Sequence, residues 1–351
     1  MELDSTVPLK QDEGFDLDLL NNYIAKNIPS ISEVQTITRF PGGYSNITYC
    51  LQTKEKELVL RMPPAGAHIQ TAHDMGREFR VLSLLELHYK KIPHPIHYCE
   101  TESILGAPFY LMEKLCGVVL RADNAPAMHL SEDTIHNISI ALIDNLVDLH
   151  AIDIHKTGLI QLGKPEGYTS RQVSGWVKRY DTAQTTTIET MNSIAKWLQQ
   201  NLPLEQAPTL LHNDYKYDNL MLDPNNLSNI IGVLDWEMAT IGDPLMDLGA
   251  SLAYWFEAGE EIVLKHYNLT WLPGNLSRKE FVDRYASKTN RDLSGILFYY
   301  VFGLFKNAVI GQQIYHRWKQ GKSNDERFGA LLPLIQLLGS KAIQALERGT
   351  I

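Results

Sequence analysis

Asp214, Asn219 and Asp235 are the residues whose types and spacing could do chemistry in this chain. They fall within Leu211-His212-Asn213-Asp214-Tyr215-Lys216-Tyr217-Asp218-Asn219-Leu220-Met221-Leu222-Asp223 and Ile230-Ile231-Gly232-Val233-Leu234-Asp235-Trp236. The apolar runs 220–222 and 230–234 are short, β-favouring and bounded by Asp-Pro-Asn-Asn, so they read as a hairpin. Asp214 and Asn219 then lie in the loop entering the hairpin, and Asp235 ends its second strand. Hard oxygen donors without a Cys or His cluster suit Mg²⁺ better than zinc. Phosphoryl transfer calls for such a set: a metal to neutralise nucleotide phosphates and a carboxylate to orient an acceptor hydroxyl. Asp214 suits the second task. Asn219 and Asp235 suit the first.

The elements that must position these groups follow from hydrophobic periodicity. Residues 1–14 are polar and aperiodic, a terminal tail. Residues 15–28 carry helical spacing, ended by Pro29-Ser30. Strand-like runs follow at 34–40, 47–52 and 58–62. Between the first two, Phe40-Pro41-Gly42-Gly43-Tyr44-Ser45-Asn46 is a glycine turn whose backbone N–H groups could approach a phosphate, and equally the turn any hairpin needs. Residues 74–90 form an amphipathic helix, with Phe79, Leu82, Leu85 and Leu87 among its apolar positions and Glu78 beside them; Pro93 and Pro95 stop it. Strands at 96–100 and 109–114 complete a mixed sheet of about five strands.

Beyond Cys116-Gly117 the pattern turns helical. Ser131 caps a helix running to His150, and further helical patterns cover 171–180 and 186–200. After the central stretch come 244–257, a capping box at Ser277-Arg278-Lys279-Glu280, and helices at 292–319 and 326–347. The fold class is α+β, with a small β-rich lobe at residues 1–116 and a larger α-rich lobe at 117–351.

Composition narrows the function classes. The chain has 351 residues, 44% hydrophobic and 21% charged, with formal net charge −9. That size suggests two lobes, and the acidity without a Lys/Arg cluster argues against nucleic acid as a partner. Cys50, Cys99 and Cys116 are odd in number and lack CxxC spacing, which points to a reducing cytoplasm. No signal-peptide pattern opens the chain, and no uninterrupted apolar stretch has bilayer length, so no membrane partner is expected. HExxH and GxSxG are absent. Gly321-Lys322-Ser323 imitates the end of a P-loop, but His316 stands where the earlier glycine belongs.

Taken together, the motifs resemble the aminoglycoside phosphotransferase and choline kinase-like branch of the protein-kinase-like superfamily. Residues 212–219 look like its H-G-D-x-x-x-x-N catalytic loop, and Leu234-Asp235-Trp236-Glu237 like its metal-binding I-D-W-E/D segment. Gly242-Asp243-Pro244 and Asp247-Leu248-Gly249 look like the G-D-P…D-L run that follows. The Pro-Gly-Gly-x-Ser-Asn and Leu-Arg-x-Pro-Pro features look most like the kinase-like module that some proteins carry ahead of an acyl-CoA dehydrogenase.

The resemblance implies a two-lobed protein-kinase-like fold with ATP in its cleft and a small-molecule hydroxyl as phosphate acceptor. It implies Asp214 as base and Asn219 and Asp235 as Mg²⁺ ligands. Arg61 with Glu78 would grip the nucleotide phosphates, Gly42, Gly43, Ser45 and Asn46 would cover them, and Glu113 would open the hinge. His212, Asp243 and Asp247 read as braces.

Two departures stand out. Asn213 replaces the usual glycine, although Asn tolerates left-handed backbone, and Arg61 stands where many kinases carry a lysine. Both favour the alternative of a catalytically silent nucleotide-binding module, which the intact Asp214, Asn219 and Asp235 oppose.

Overall fold

The computed structural model describes residues 4–10, 14–41, 46–64, 74–323 and 325–351. Asp16 accepts the Leu19 N–H at 2.9 Å and so caps α1 (Leu17–Asn27). Then follow β1 (Val34–Arg39), β2 (Ile47–Thr53), β3 (Glu57–Met62), α2 (Met75–Leu85), β4 (Pro95–Cys99) and β5 (Phe109–Glu113). The strands pair antiparallel in the order β1-β2-β3-β5-β4. β3 is central and buried from Leu58 to Met62. Its Leu58 and Leu60 pack with Tyr49, Leu51, Phe109 and Leu111 against Leu20 and Ile24 of α1. Alternation along a strand sends Val59 and Arg61 to the opposite face, where Arg61 meets Glu78 of α2. A charge on a central strand is thus explained by what the helix above it carries.

α2 ends at Leu85, earlier than periodicity suggested. The His88 and Tyr89 N–H groups both turn back to the Leu85 carbonyl. Leu87 is therefore 77% exposed, and Tyr89 takes the buried place.

The chain continues through β6 (Val118–Val119), α3 (Glu132–His150), α4 (Tyr168–Ala183), α5 (Glu189–Gln200) and β7 (Thr209–Leu211). Ser131 caps α3 through the Thr134 N–H, as its position before Glu132 and Asp133 predicts. β8 (Leu220–Asp223) and β9 (Asn226–Val233) form the expected hairpin, with β6 paired to β8 at its edge. β10 (Thr240–Gly242) pairs with β7, a contact that no spacing in the sequence announces. α6 (Pro244–Ala253), α7 (Arg278–Thr289), α8 (Ile296–Lys319) and α9 (Leu331–Arg348) complete the order. The Ser277/Glu280 capping box of α7 is formed in both directions. α8 starts at Ile296 rather than 292 because the Asp292 side chain accepts the Ser294 N–H and turns the chain.

The chain divides into two compact units. The first comprises Met1–Val119, Thr157–Leu159 and Asn219–Ala239, and the second Leu120–Lys156, Ile160–Asp218 and Thr240–Ile351. The β8–β9 hairpin thus belongs by its contacts to the first.

By length and composition alone, residues 326–348 form a helix that could cross a membrane, although Arg327 and Lys341 interrupt its apolar run. Within the second unit, however, α9 packs on α8 and α5, burying Ile335, Leu338, Ala342 and Ala345 as one helical stripe.

α8 also packs on α6, and glycines set how closely. A Cβ at Gly249 would lie 2.3 Å from the Tyr299 carbonyl oxygen, and one at Gly303 would lie 2.4 Å from the Gly249 oxygen. Backbone meets backbone there, so added volume has nowhere to go. Gly303→Ala should lower stability by about 1–3 kcal/mol, seen as a lower urea midpoint at unchanged slope.

Candidate active site

β3 delivers Arg61 to a cluster of carboxylates in the first unit. Its Nη1 lies 3.2 Å from Glu78 Oε1, and its Nη2 lies 2.5 Å from Asp235 Oδ1 and 3.5 Å from Glu237 Oε2. Burial opposes the guanidinium charge, yet Asp235 and Glu78 hold its pKa well above the ordinary arginine value. Glu78 is 1% exposed and also accepts the Trp236 N–H at 3.2 Å. Burial pushes its carboxyl up, against the pull of Arg61.

Asp235 stands just past β9, which ends at Val233, and adopts left-handed backbone at φ 66°, ψ 63°. That region is uncommon for residues other than glycine, with Asp and Asn the better-tolerated exceptions. The strand end is pinned around it. Leu234 donates its N–H to the Asn219 carbonyl at 2.8 Å, and the Trp236 indole donates to the Val233 carbonyl at 2.9 Å. Asn46 joins the cluster by donating its amide to Glu237 Oε2 at 2.7 Å.

The first unit therefore brings together Arg61, Glu78, Asp235 and Asn46, with Asn219 tied alongside through Leu234. Glu113 sits apart at the end of β5 with its side chain exposed, paired across from Leu58, its N–H donated to the His94 carbonyl at 2.9 Å. Gly42, Gly43 and Ser45 lie outside the described residues.

In the second unit, β7 runs into the loop that carries Asp214. Asp247, in the first turn of α6 and fully buried, accepts the His212 N–H on Oδ2 at 2.7 Å and the Asn213 N–H on Oδ1 at 2.8 Å. His150 Nε2 lies 3.3 Å from the same Oδ2, and its Nδ1 lies 2.7 Å from the Tyr285 hydroxyl. Burial alone would raise this carboxyl; the hydrogen bond and charge of His150, with His212, hold it below the usual range. Asn213 takes the left-handed conformation at φ 66°. Its side-chain oxygen accepts from the Tyr168 hydroxyl at 3.3 Å and its carbonyl from Lys306 Nζ at 2.6 Å. Asp243 caps α6 and accepts the Tyr299 hydroxyl at 2.7 Å.

The Asp214 carboxylate is met by Lys216 Nζ at 2.9 and 3.1 Å. That ammonium also sits 4.6 Å from the centre of the Tyr254 ring. Burial opposes the charge of Lys216, but Tyr254 and Asp214 outweigh it and raise its pKa. Asp218 is partly buried, and burial raises its pKa against the pull of Lys216 and Arg121. Sequence reasoning missed Lys216 and Lys306. The first was visible inside the loop motif; the second left one trace, a lone charge in the apolar run of α8.

A buried strand cation paired to a helix carboxylate, and an aspartate on a loop held by its backbone, define a class. The phosphotransferase enzyme family model matches residues 36–281, and the chain belongs to that family. Its fold is the kinase-like one of aminoglycoside phosphotransferases. A crystal structure from Ralstonia eutropha assigned as an aminoglycoside phosphotransferase aligns at TM-score 0.81 and 27% identity, covering 95% of this chain and 99% of that one. The streptomycin–ATP complex of APH(2")-IIa aligns at TM-score 0.56 and 16% identity, over 85% and 91%.

More particularly, the chain is similar to acyl-CoA dehydrogenase family member 11 of Rattus norvegicus, at 32% identity over 99% of this chain and 46% of that protein. It is also 32% identical to family member 10 of Mus musculus, over 91% of this chain and 30% of that one. The chain thus spans less than half the length of these curated relatives.

Two expectations about stability follow. Asp247→Asn leaves two buried N–H groups with one acceptor oxygen and should cost on the order of 2–4 kcal/mol near neutral pH. Because folding lowers the Asp247 pKa, its contribution is complete above the unfolded value of about 3.9 and fades as pH falls through the lower folded value. Urea melts should therefore show a constant gap between wild type and variant from neutral pH to about 5, narrowing below about 4. Arg61→Met strands the buried Glu78 charge and should cost on the order of 3–5 kcal/mol, much of it regained in the Arg61→Met/Glu78→Met double variant.

Proposed function

We propose that this chain is an ATP- and Mg²⁺-dependent phosphotransferase that transfers a γ-phosphoryl group to a hydroxyl of a small molecule. The observation that carries the reading is the Asp214 loop. Its carboxylate projects from a backbone gripped by Asp247, within a chain of the phosphotransferase family. Transfer of this kind depends on positioning and electrostatics more than on covalent chemistry by the protein. Asp214 takes the hydroxyl proton as the new O–P bond forms and ADP departs.

Arg61, braced by Glu78, meets the nucleotide phosphates, with Asn46 beside them. Asn219 and Asp235 offer an amide and a carboxylate oxygen, hard donors that fit Mg²⁺. When bound, that ion supplies neutralisation of phosphate charge.

The acceptor class we favour is a hydroxylated acyl compound. The support is the name of the longer relatives, acyl-CoA dehydrogenase family members 10 and 11. A module joined to an enzyme of acyl compounds would act on the same class. The streptomycin in the APH(2")-IIa complex belongs to that protein.

One observation favours a second reading, a silent nucleotide-binding module. One of the two Asp235 carboxylate oxygens, Oδ1, is engaged by Arg61. The two readings separate in one experiment, ADP release with Mg-ATP across hydroxylated acyl compounds, polyols, choline-like alcohols and aminoglycosides. The phosphotransferase reading expects turnover with a hydroxyl acceptor and a loss of about 10²–10⁴-fold in Asp214→Asn. Wild-type turnover in that variant overturns the assignment of the base. Thermal stabilisation by Mg-ATP with no turnover of any acceptor establishes the silent module instead.

A further inference from the structure

Lys306 lies in the middle of α8, flanked by Leu304, Phe305, Ala308 and Val309, and is 4% exposed. An ammonium removed from water persists where protein groups replace its hydration. Here the replacement is specific, because Nζ donates to the Asn213 carbonyl at 2.6 Å. It also stands 5.9 Å from the centre of the Trp176 ring. Asp214, Asp247, Lys216 and Arg179 act on its charge electrostatically. Burial lowers its pKa, while the two carboxylates pull the other way.

The place of this ammonium follows from the helix packing. Gly303, three residues earlier on α8, touches the Gly249 backbone of α6, and Asp247 stands in the first turn of the same α6. One helix contact therefore sets both groups that hold Asn213. The Asn213 N–H belongs to the peptide entering the residue and is held by the Asp247 carboxylate. Its carbonyl belongs to the peptide leaving it and is held by the Lys306 ammonium. With both peptides gripped by opposite charges, the torsions between them are fixed, and Asn213 stays at φ 66°. The direction in which the next residue, Asp214, leaves the loop is set by those torsions.

We propose that Lys306 is a positioning residue for phosphoryl transfer, holding the Asn213–Asp214 peptide so that the Asp214 carboxylate meets the acceptor hydroxyl. This rests on the phosphotransferase reading above. The role differs from a general contribution to stability because it acts on the turnover step and not on nucleotide binding. A small displacement of a base is enough to slow transfer strongly.

The test compares wild type, Lys306→Met and Lys306→Arg in the full chain by thermal unfolding, Mg-ADP affinity, KM for ATP and kcat with an acceptor found in the panel. Lys306→Met should unfold cooperatively, bind Mg-ADP within about twofold of wild type and lose about 10–100-fold in kcat. Lys306→Arg, which keeps the charge and donors on a different frame, should fall between the two. Unchanged kcat in Lys306→Met overturns the inference, as does Mg-ADP affinity that falls in step with kcat. Should Lys306→Met not fold, Lys306→Arg decides: lowered kcat with intact Mg-ADP binding supports the role, and wild-type kcat overturns it. No ADP from wild type with any acceptor overturns the phosphotransferase reading and the inference together, whereas wild-type turnover matched by Lys306→Met overturns the inference alone.

Discussion

A carboxylate sealed from water, Asp247, holds the backbone of the loop that carries Asp214. Two consecutive N–H groups, those of His212 and Asn213, end on its two oxygens. In water such bonds compete with solvent and contribute little; in a dry interior a charged acceptor makes them short, directional and costly to lose. Asp247 in turn is oriented by His150 from α3, and His150 by Tyr285 from α7. The end of β7 and helices α3, α6 and α7 thereby converge on one loop. Asp214 inherits its direction from that convergence.

The first unit repeats the arrangement with the signs exchanged. There the sealed group is a cation, Arg61, and the ligands around it are Glu78, Asp235 and Glu237. Glu78 also catches the Trp236 N–H, so one ion pair joins the central strand, α2 and the turn after β9. In both units the residue under tension is not glycine. Asn213 and Asp235 each sit in the left-handed region, a conformation that persists where the surroundings over-determine it and that concentrates at functional positions. The Asn213 substitution for the family's glycine is thus accommodated, with its own side chain recruited by Tyr168.

A kinase-like fold by itself does not name a reaction, because one architecture serves many chemistries. What narrows it here is the site. Lys216 meets the Asp214 carboxylate and lies over Tyr254, so the surroundings of the proposed base contain a cation as well as carboxylates.

Much of the frame is legible in the amino-acid order. The β8–β9 hairpin, the Ser131 cap, the Ser277/Glu280 capping box and the tolerance of Asn213 for left-handed backbone all arise from residues a few positions apart. Local sterics and side-chain-to-backbone hydrogen bonds favour them without need of a distant contact. The 212–219 and 234–237 motifs are legible for the same reason, as each is a continuous segment. The end of α2 is not legible in this way, because apolar spacing continues through Leu87 while the backbone has already turned at Leu85.

Other features belong to the tertiary structure alone. The pairing of β7 with β10, Arg61 with Asp235 across 174 positions, and Lys306 with the Asn213 carbonyl across 93 are created when packed helices and strands bring distant groups within reach. No spacing rule reaches that far. The sequence by itself determined which side chains are available for phosphoryl chemistry and the local geometry of the segments that bear them. The tertiary structure decided which charges those side chains face, because burial and long-range packing, not neighbours in the chain, choose a charge's partners.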